Sequence, residues 1–151
     1  MFEQKIEIDL KHLGEAVFIT RVLTNTSREK LAELAKVSVP TLTALESGAK
    51  AYNMSTLFSV IKNLPIQMTF SGTGGDEIPF NPHKDKYGEV IKVLRSRMND
   101  GAGWTLKKLH EESKMSEPAL SAMENGSGGR ASSFQKVLKA MDVRLKIKIN
   151  N

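Results

Sequence analysis

The sequence predicts a mainly α-helical protein made of two copies of one four-helix unit, each copy closed by a short β-strand. Three observations carry this. First, SVPTLTALESG at 38–48 returns as SEPALSAMENG at 116–126, with six of the eleven positions identical. Second, Leu57, Val60, Ile61 and Leu64 stand at helical spacing after the first motif, and Phe134, Val137, Leu138 and Met141 repeat that spacing after the second. Third, each helix runs into period-two alternation. Ile66, Met68 and Phe70 alternate with Gln67 and Thr69; Val143, Leu145, Ile147 and Ile149 alternate with Arg144, Lys146 and Lys148.

The remaining elements follow in order. An amphipathic segment opens each copy, over 11–24 with Val17 and Leu23 and over 86–98 with Val90, Val93 and Leu94. SREKLAELAK (27–36) then matches TLKKLHEESK (105–114), with Ser27 and Thr105 as N-caps and Leu31 and Leu109 on the buried side. The second copy reaches this helix through a longer join, NDGAGW at 99–104. Trp104, just before the cap, fits a hydrophobic staple. In the repeated motif Ser38 and Ser116 are N-caps, and Pro40 and Pro118 occupy the first turn, where a missing N–H costs nothing. Leu42 with Leu45, and Leu120 with Met123, face the core, while Gly48 and Gly126 end the helix in left-handed backbone.

The predicted organisation is residues 1–70 as an N-terminal strand plus first unit, 71–87 as a linker, and 88–151 as the second unit with its C-terminal strand. The linker reading rests on the glycine, proline and charge of SGTGGDEIPFNPHKDKY. Its glycines lack the Lys-Ser/Thr of a phosphate loop. Strands 65–71 and 143–149 can pair with each other, and KIEIDL (5–10), alternating Ile6, Ile8 and Leu10 with Lys5, Glu7 and Asp9, can add a third. Such a shared sheet would be the intramolecular equivalent of a dimer interface.

Composition narrows the function. The chain has 151 residues, no cysteine, and three scattered histidines (His12, His83, His110) without metal-ligand spacing, so disulfides, thiolate chemistry and metal cofactors are not expected. No apolar run approaches the ~20 residues of a membrane span, and the acidic N-terminus is unlike a signal peptide, which points to a cytoplasmic protein. No carboxylate pairs with a His or Lys at a catalytic spacing, so an enzyme is not expected. Net charge is +5, with 8 basic against 7 acidic residues in 1–75 and 14 against 10 in 76–151. That balance is compatible with a polyanionic partner.

Only a tight turn separates the second helix from the third in each copy, which is helix-turn-helix geometry. The residues resemble the Xre or lambda-repressor-like DNA-binding family: Arg, then Ser/Thr six residues on, then L-A, then S-x-x-x-L-x-x-h-E-x-G. MSEPALSAMENG is most similar to the HipB/HigA-type antitoxin repressors, whose helices are followed by a C-terminal strand. The resemblance covers 15–70 and 88–149. It implies that Arg21 pairs with Glu46 as a fold-stabilising bond, and that Glu124 pairs with Arg97 or Arg95, since the longer join shifts the alignment. The chain departs from the family at Ser27-Arg28 and Thr105-Leu106, where Thr-Gln is usual. It departs again at Lys36 and Lys114, which replace the turn glycine, and at His110, which replaces the tightly packed alanine present as Ala32. His110 reads as a packing variant, with pH sensing as the alternative.

The resemblance also implies the binding surface. Base-reading positions fall on Val39, Pro40, Thr43 and Ala44 in one copy and on Glu117, Pro118, Ser121 and Ala122 in the other, with Thr41 in the first copy where the second has Ala119 as a further difference. Phosphate candidates are Arg28, Lys30, Lys50 and Asn53, then Lys107, Lys108, Asn125 and Arg130. The outward residues are small, so specificity would lean on phosphate contacts and DNA shape. The implied function is a sequence-specific transcriptional regulator, a repressor of bacterial, phage or mobile-element type. It would work as a covalent pseudo-dimer on an imperfect palindromic operator in double-stranded DNA. An antitoxin or adaptor whose helix surface binds a toxin or other protein is the alternative. Self-association of whole chains would give four reading heads.

Overall fold

The computed structural model describes residues 2–7, 10–48, 52–72, 77–126 and 128–149, with side chains from His12 onward. The first half contains β1 (Phe2–Glu7), α1 (Leu10–Leu23), α2 (Arg28–Ala35), α3 (Val39–Glu46), α4 (Met54–Ile61) and β2 (Ile66–Ser71). The second contains β3 (Glu77–Phe80), α5 (Tyr87–Ser96), α6 (Leu106–Ser113), α7 (Glu117–Glu124), α8 (Ala131–Ala140) and β4 (Arg144–Ile149). The chain is mainly helical, with one small antiparallel sheet in the order β1-β4-β2-β3.

Local chemistry sets the helix boundaries. The side chains of Ser27, Ser38, Thr105 and Ser116 accept from the backbone N–H three residues on, at 3.0 to 3.2 Å. Gly48 and Gly126 take φ of 90° and 75° past the ends of α3 and α7. Lys36 and Lys114 are left-handed at φ 58° and 65°, so the turn keeps the backbone a glycine would favour. Two apolar residues expected inside lie outside: Leu23 is 48% exposed and Val93 39%. Period alone cannot tell which edge of an apolar stripe meets the core.

β3 is the main departure. It lies within 71–87, the segment read as a linker. Glycine and proline hide it in the sequence, and Pro79 is tolerated because β3 is an edge strand, where a missing N–H breaks no ladder. The N-terminal strand also differs from the expected 5–10: it spans 2–7, Ile8 and Asp9 lie outside the described residues, and Leu10 already belongs to α1.

β3 is the second copy of β1. Ile6 stands opposite Leu145 and Phe80 opposite Met68, and Leu145 and Met68 are themselves repeat equivalents. Each copy therefore runs strand, four helices, strand, and the first strand of each pairs with the last strand of the other. The β2–β4 ladder joins Phe70 to Leu145, Thr69 to Lys146 and Met68 to Ile147. Exchanging the copies maps this register onto itself, with Thr69 and Lys146 at its centre. A second equivalent pair, Asn53 and Arg130, forms an isolated antiparallel bridge where α4 and α8 begin. Met54 N–H donates to Gly129 O at 3.1 Å and Ala131 N–H to Tyr52 O at 3.0 Å. Two self-paired equivalent positions define a local pseudo-twofold axis.

The core is continuous across that axis. Leu57, Val60, Ile61, Phe70, Val137, Leu138, Leu145 and Met141 are all within 1% of full burial. Phe58 stacks on Tyr87 at 5.6 Å and contacts Phe80 at 5.1 Å, while Phe70 meets Phe134 edge-on at 6.3 Å. These rings tie α4 and β2 to β3, α5 and α8.

Candidate nucleic-acid interface

The surface of interest is built on a buried carboxylate in each half. Glu46, at the end of α3, has a side chain only 2% exposed. Arg21 grips it bidentately, Nε to Oε2 at 2.7 Å and Nη2 to Oε1 at 3.1 Å, and Nη1 donates to Thr26 O at 3.1 Å. Glu124 ends α7 and is held by Arg95 at 2.7 and 2.9 Å, with Nη1 donating to Trp104 O at 2.8 Å. Thr26 and Trp104 each precede an N-cap, so one guanidinium fixes the start of α2 or α6 against the end of α3 or α7. Hydrogen bonding to the carboxylate raises the pKa of both arginines. Of the two arginines open to Glu124, the structure selects Arg95; Arg97 is exposed.

Close backbone approach helps hold this arrangement. Gly14 in α1 and Gly88 in α5 are equivalent positions, and a Cβ at either would collide with backbone carbonyls at the end of α3 or α7. Their signal in the sequence is a glycine inside each first helix, seven residues before the pairing arginine.

The candidate residues distribute as follows. On α3, Thr43, Pro40 and Ala44 are exposed and Val39 and Thr41 half-buried, with Ser38 Oγ 2.7 Å from Thr41 Oγ1. On α7, Glu117 and Pro118 are exposed and Ser121 and Ala122 half-buried. Lys30 and Lys107 are exposed on the first turns of α2 and α6, and Asn125 is exposed at the C-cap of α7. Asn53 and Arg130 are exposed N-caps of α4 and α8, brought together on the pseudo-twofold axis. Lys50 lies outside the described residues.

Two expected phosphate ligands have other duties. Arg28 gives its Nε to Glu46 Oε1 at 3.0 Å, making a second ion pair on that carboxylate. Its side chain remains 39% exposed. Lys108 donates to Glu112 at 2.9 Å and sits 5.5 Å from the Trp104 ring centroid. That pairing raises the Lys108 pKa and holds the Glu112 carboxyl below its ordinary value. His110 is exposed and not packed like Ala32; its Nδ1–H donates to Met115 O at 2.6 Å, closing the turn after α6.

A cavity of about 630 Å³ lies between the end of α4, β2 and the loop after β3, with Leu64, Met68, Phe80 and His83 in its lining. None of the candidate interface residues lines it. Among the described residues no group of His, Asp and Glu can hold a metal, and no helix is long and apolar enough to cross a membrane. No family model, curated protein or solved structure matches the chain.

Proposed function

We propose that the chain is a sequence-specific DNA-binding regulator, acting as a repressor, in which α2–α3 and α6–α7 are two non-identical helix-turn-helix heads of one covalent pseudo-dimer. One observation carries the reading. Equivalent residues meet at two places, Asn53 with Arg130 and Thr69 with Lys146, so the two copies are related as the halves of a twofold dimer. Duplex DNA has the same local symmetry, and paired heads address half-sites about one helical turn, ~34 Å, apart. The surface chemistry supports contact with the phosphate backbone more than base reading. Lys30 and Lys107 are exposed at the first turns of α2 and α6, where uncapped N–H groups also favour anions. Ser121, Thr43 and Thr41 offer single hydrogen bonds, each worth less than the ~1–3 kcal/mol of a bidentate pair.

The test is retention on random duplex DNA across a salt series, for the native chain and for Lys30→Glu and Lys107→Glu. Each lysine that neutralises a phosphate contributes about one unit of salt slope. Native binding with a slope that drops in both variants is the expected result; slopes unchanged by both substitutions overturn the reading. Because Val39 and Thr41 correspond to Glu117 and Ala119, footprinting should return an imperfect palindrome.

A second reading, an antitoxin or adaptor that docks on a protein, has one observation in its favour. Phe18, Ile19, Val22 and Leu23 form an apolar face on α1, each at least 40% exposed. The corresponding residues of α5 are Lys92, Val93, Ser96 and Arg97, so the fold does not need that face to be apolar.

A further inference from the structure

We infer that two copies of this chain associate through the outer edge of β1, pairing β1 with β1 antiparallel about Gln4 and extending the sheet from four strands to eight. The inference is independent of DNA binding. The sheet order places β1 and β3 at its edges. These edges are unequal templates. β3 has four residues, and Pro79 lacks a backbone donor; β1 has six residues with neither proline nor glycine.

Charge in the sequence selects the register. Positions 3, 5 and 7 of β1 are Glu, Lys and Glu, so they alternate in sign along one face of the strand. Pairing about Gln4 sets Glu3 of one chain opposite Lys5 of the other, twice, and Phe2 opposite Ile6, twice. Pairing about Glu3 instead sets Glu on Glu, and pairing about Lys5 sets Lys on Lys and Glu on Glu. Only the register about Gln4 is both complementary and long. Within the chain, Lys5 is in register with Lys146 of β4, so Glu3 of a second copy would stand on the other side of Lys5. Because β3, the other edge, is short and carries Pro79, the contact at β1 closes on itself as a twofold dimer and does not propagate into a filament.

Sedimentation equilibrium of the full chain at micromolar concentrations tests this. The native chain is expected at twice 16.7 kDa. Lys5→Glu makes acids of positions 3, 5 and 7, and Glu3→Lys sets Lys on Lys; each single variant is expected at the monomer mass. The double variant Glu3→Lys/Lys5→Glu restores opposite signs in the same register and is expected to return to the dimer. Circular dichroism of each variant checks that the fold is kept, and recovery in the double variant separates lost pairing from lost folding. The inference is overturned by a native chain that stays monomeric, or by a dimer that survives both single variants. It is equally overturned by a double variant that stays monomeric, by species that grow without limit, or by a dimer dissolved by Val22→Lys on the α1 face and untouched by Lys5→Glu.

Discussion

Thr69 and Lys146 stand directly opposite each other in the β2–β4 ladder, and they are the same position of the two sequence copies. A ladder centred on equivalent residues is what two identical chains would form across a twofold axis. Here one chain supplies both sides, and it also exchanges its outer strands: β1 reaches β4, and β3 reaches β2. Each half therefore depends on the other for its sheet pairing.

The first prediction follows from that dependence. A fragment of residues 1–72 keeps β1 and β2 but loses β3 and β4, so both of its strands lack partners. It should show no cooperative thermal transition at micromolar concentration, and mixing with 73–151 should restore one. A sharp melt from the isolated half would refute strand exchange as a source of stability.

The Arg95–Glu124 pair gives the second prediction. The Glu124 side chain is 4% exposed, so removing its guanidinium leaves a buried carboxylate uncompensated. Arg95→Ala should cost on the order of 3 kcal/mol in urea unfolding, whereas Arg97→Ala at the exposed neighbouring position should stay within about 0.5 kcal/mol. Equal costs would mean that the two arginines exchange.

Gly14 and Gly88 test packing against propensity. In an exposed helix, Gly→Ala gains about 1 kcal/mol. Here the new methyl would meet backbone carbonyls of α3 or α7, which cannot swing aside. Both Gly14→Ala and Gly88→Ala should therefore destabilise, by roughly 1–3 kcal/mol each. A gain in melting temperature would show that α1 or α5 can shift away.

Lys36 and Lys114 point the other way. Both hold left-handed backbone, which costs a residue with a Cβ roughly 1–2 kcal/mol. Lys36→Gly and Lys114→Gly should each raise stability by about 1 kcal/mol. In a DNA-retention assay these variants also report whether the turn lysines touch phosphate, because stability and binding would then move in opposite directions.

Tyr52 carries the pH prediction. Its hydroxyl is buried with no hydrogen-bond partner among the described residues, and burial pushes the phenol up to about 12. A folded pKa above the unfolded value of about 10 leaves the neutral phenol favoured in the folded state. That contribution is complete below pH ~10 and is lost as pH rises through about 12. Tyr52→Phe should remove that share of the alkaline loss and raise neutral-pH stability by up to ~1 kcal/mol, since no hydrogen bond is given up. Denaturation curves across alkaline pH, read beside tyrosinate absorbance, decide it.

Legibility followed the range of the interaction. Ser27, Ser38, Thr105 and Ser116 were readable as caps because a cap is complete within three residues. The sequence leaves the partner of Glu124 open between two arginines because that choice depends on helical phase across a join of altered length. Arg28 and Lys108, read as phosphate ligands, also pair with Glu46 and Glu112; the first pairing spans distant elements and leaves no mark in the string of residues, whereas the second is an i,i+4 pair on one helix. β3 was hidden because Pro79 reads as a breaker unless the strand is known to lie at an edge.

By itself the sequence determined that this chain is a duplication, where its capped helices begin, and which apolar stripes supply most of its core, because those signals repeat and act locally. Tertiary structure alone decided that the first strand of each copy crosses to the other and that Asn53 meets Arg130 on an axis. Strand pairing is chosen by the summed fit of a whole register, and no short stretch of either strand contains that sum.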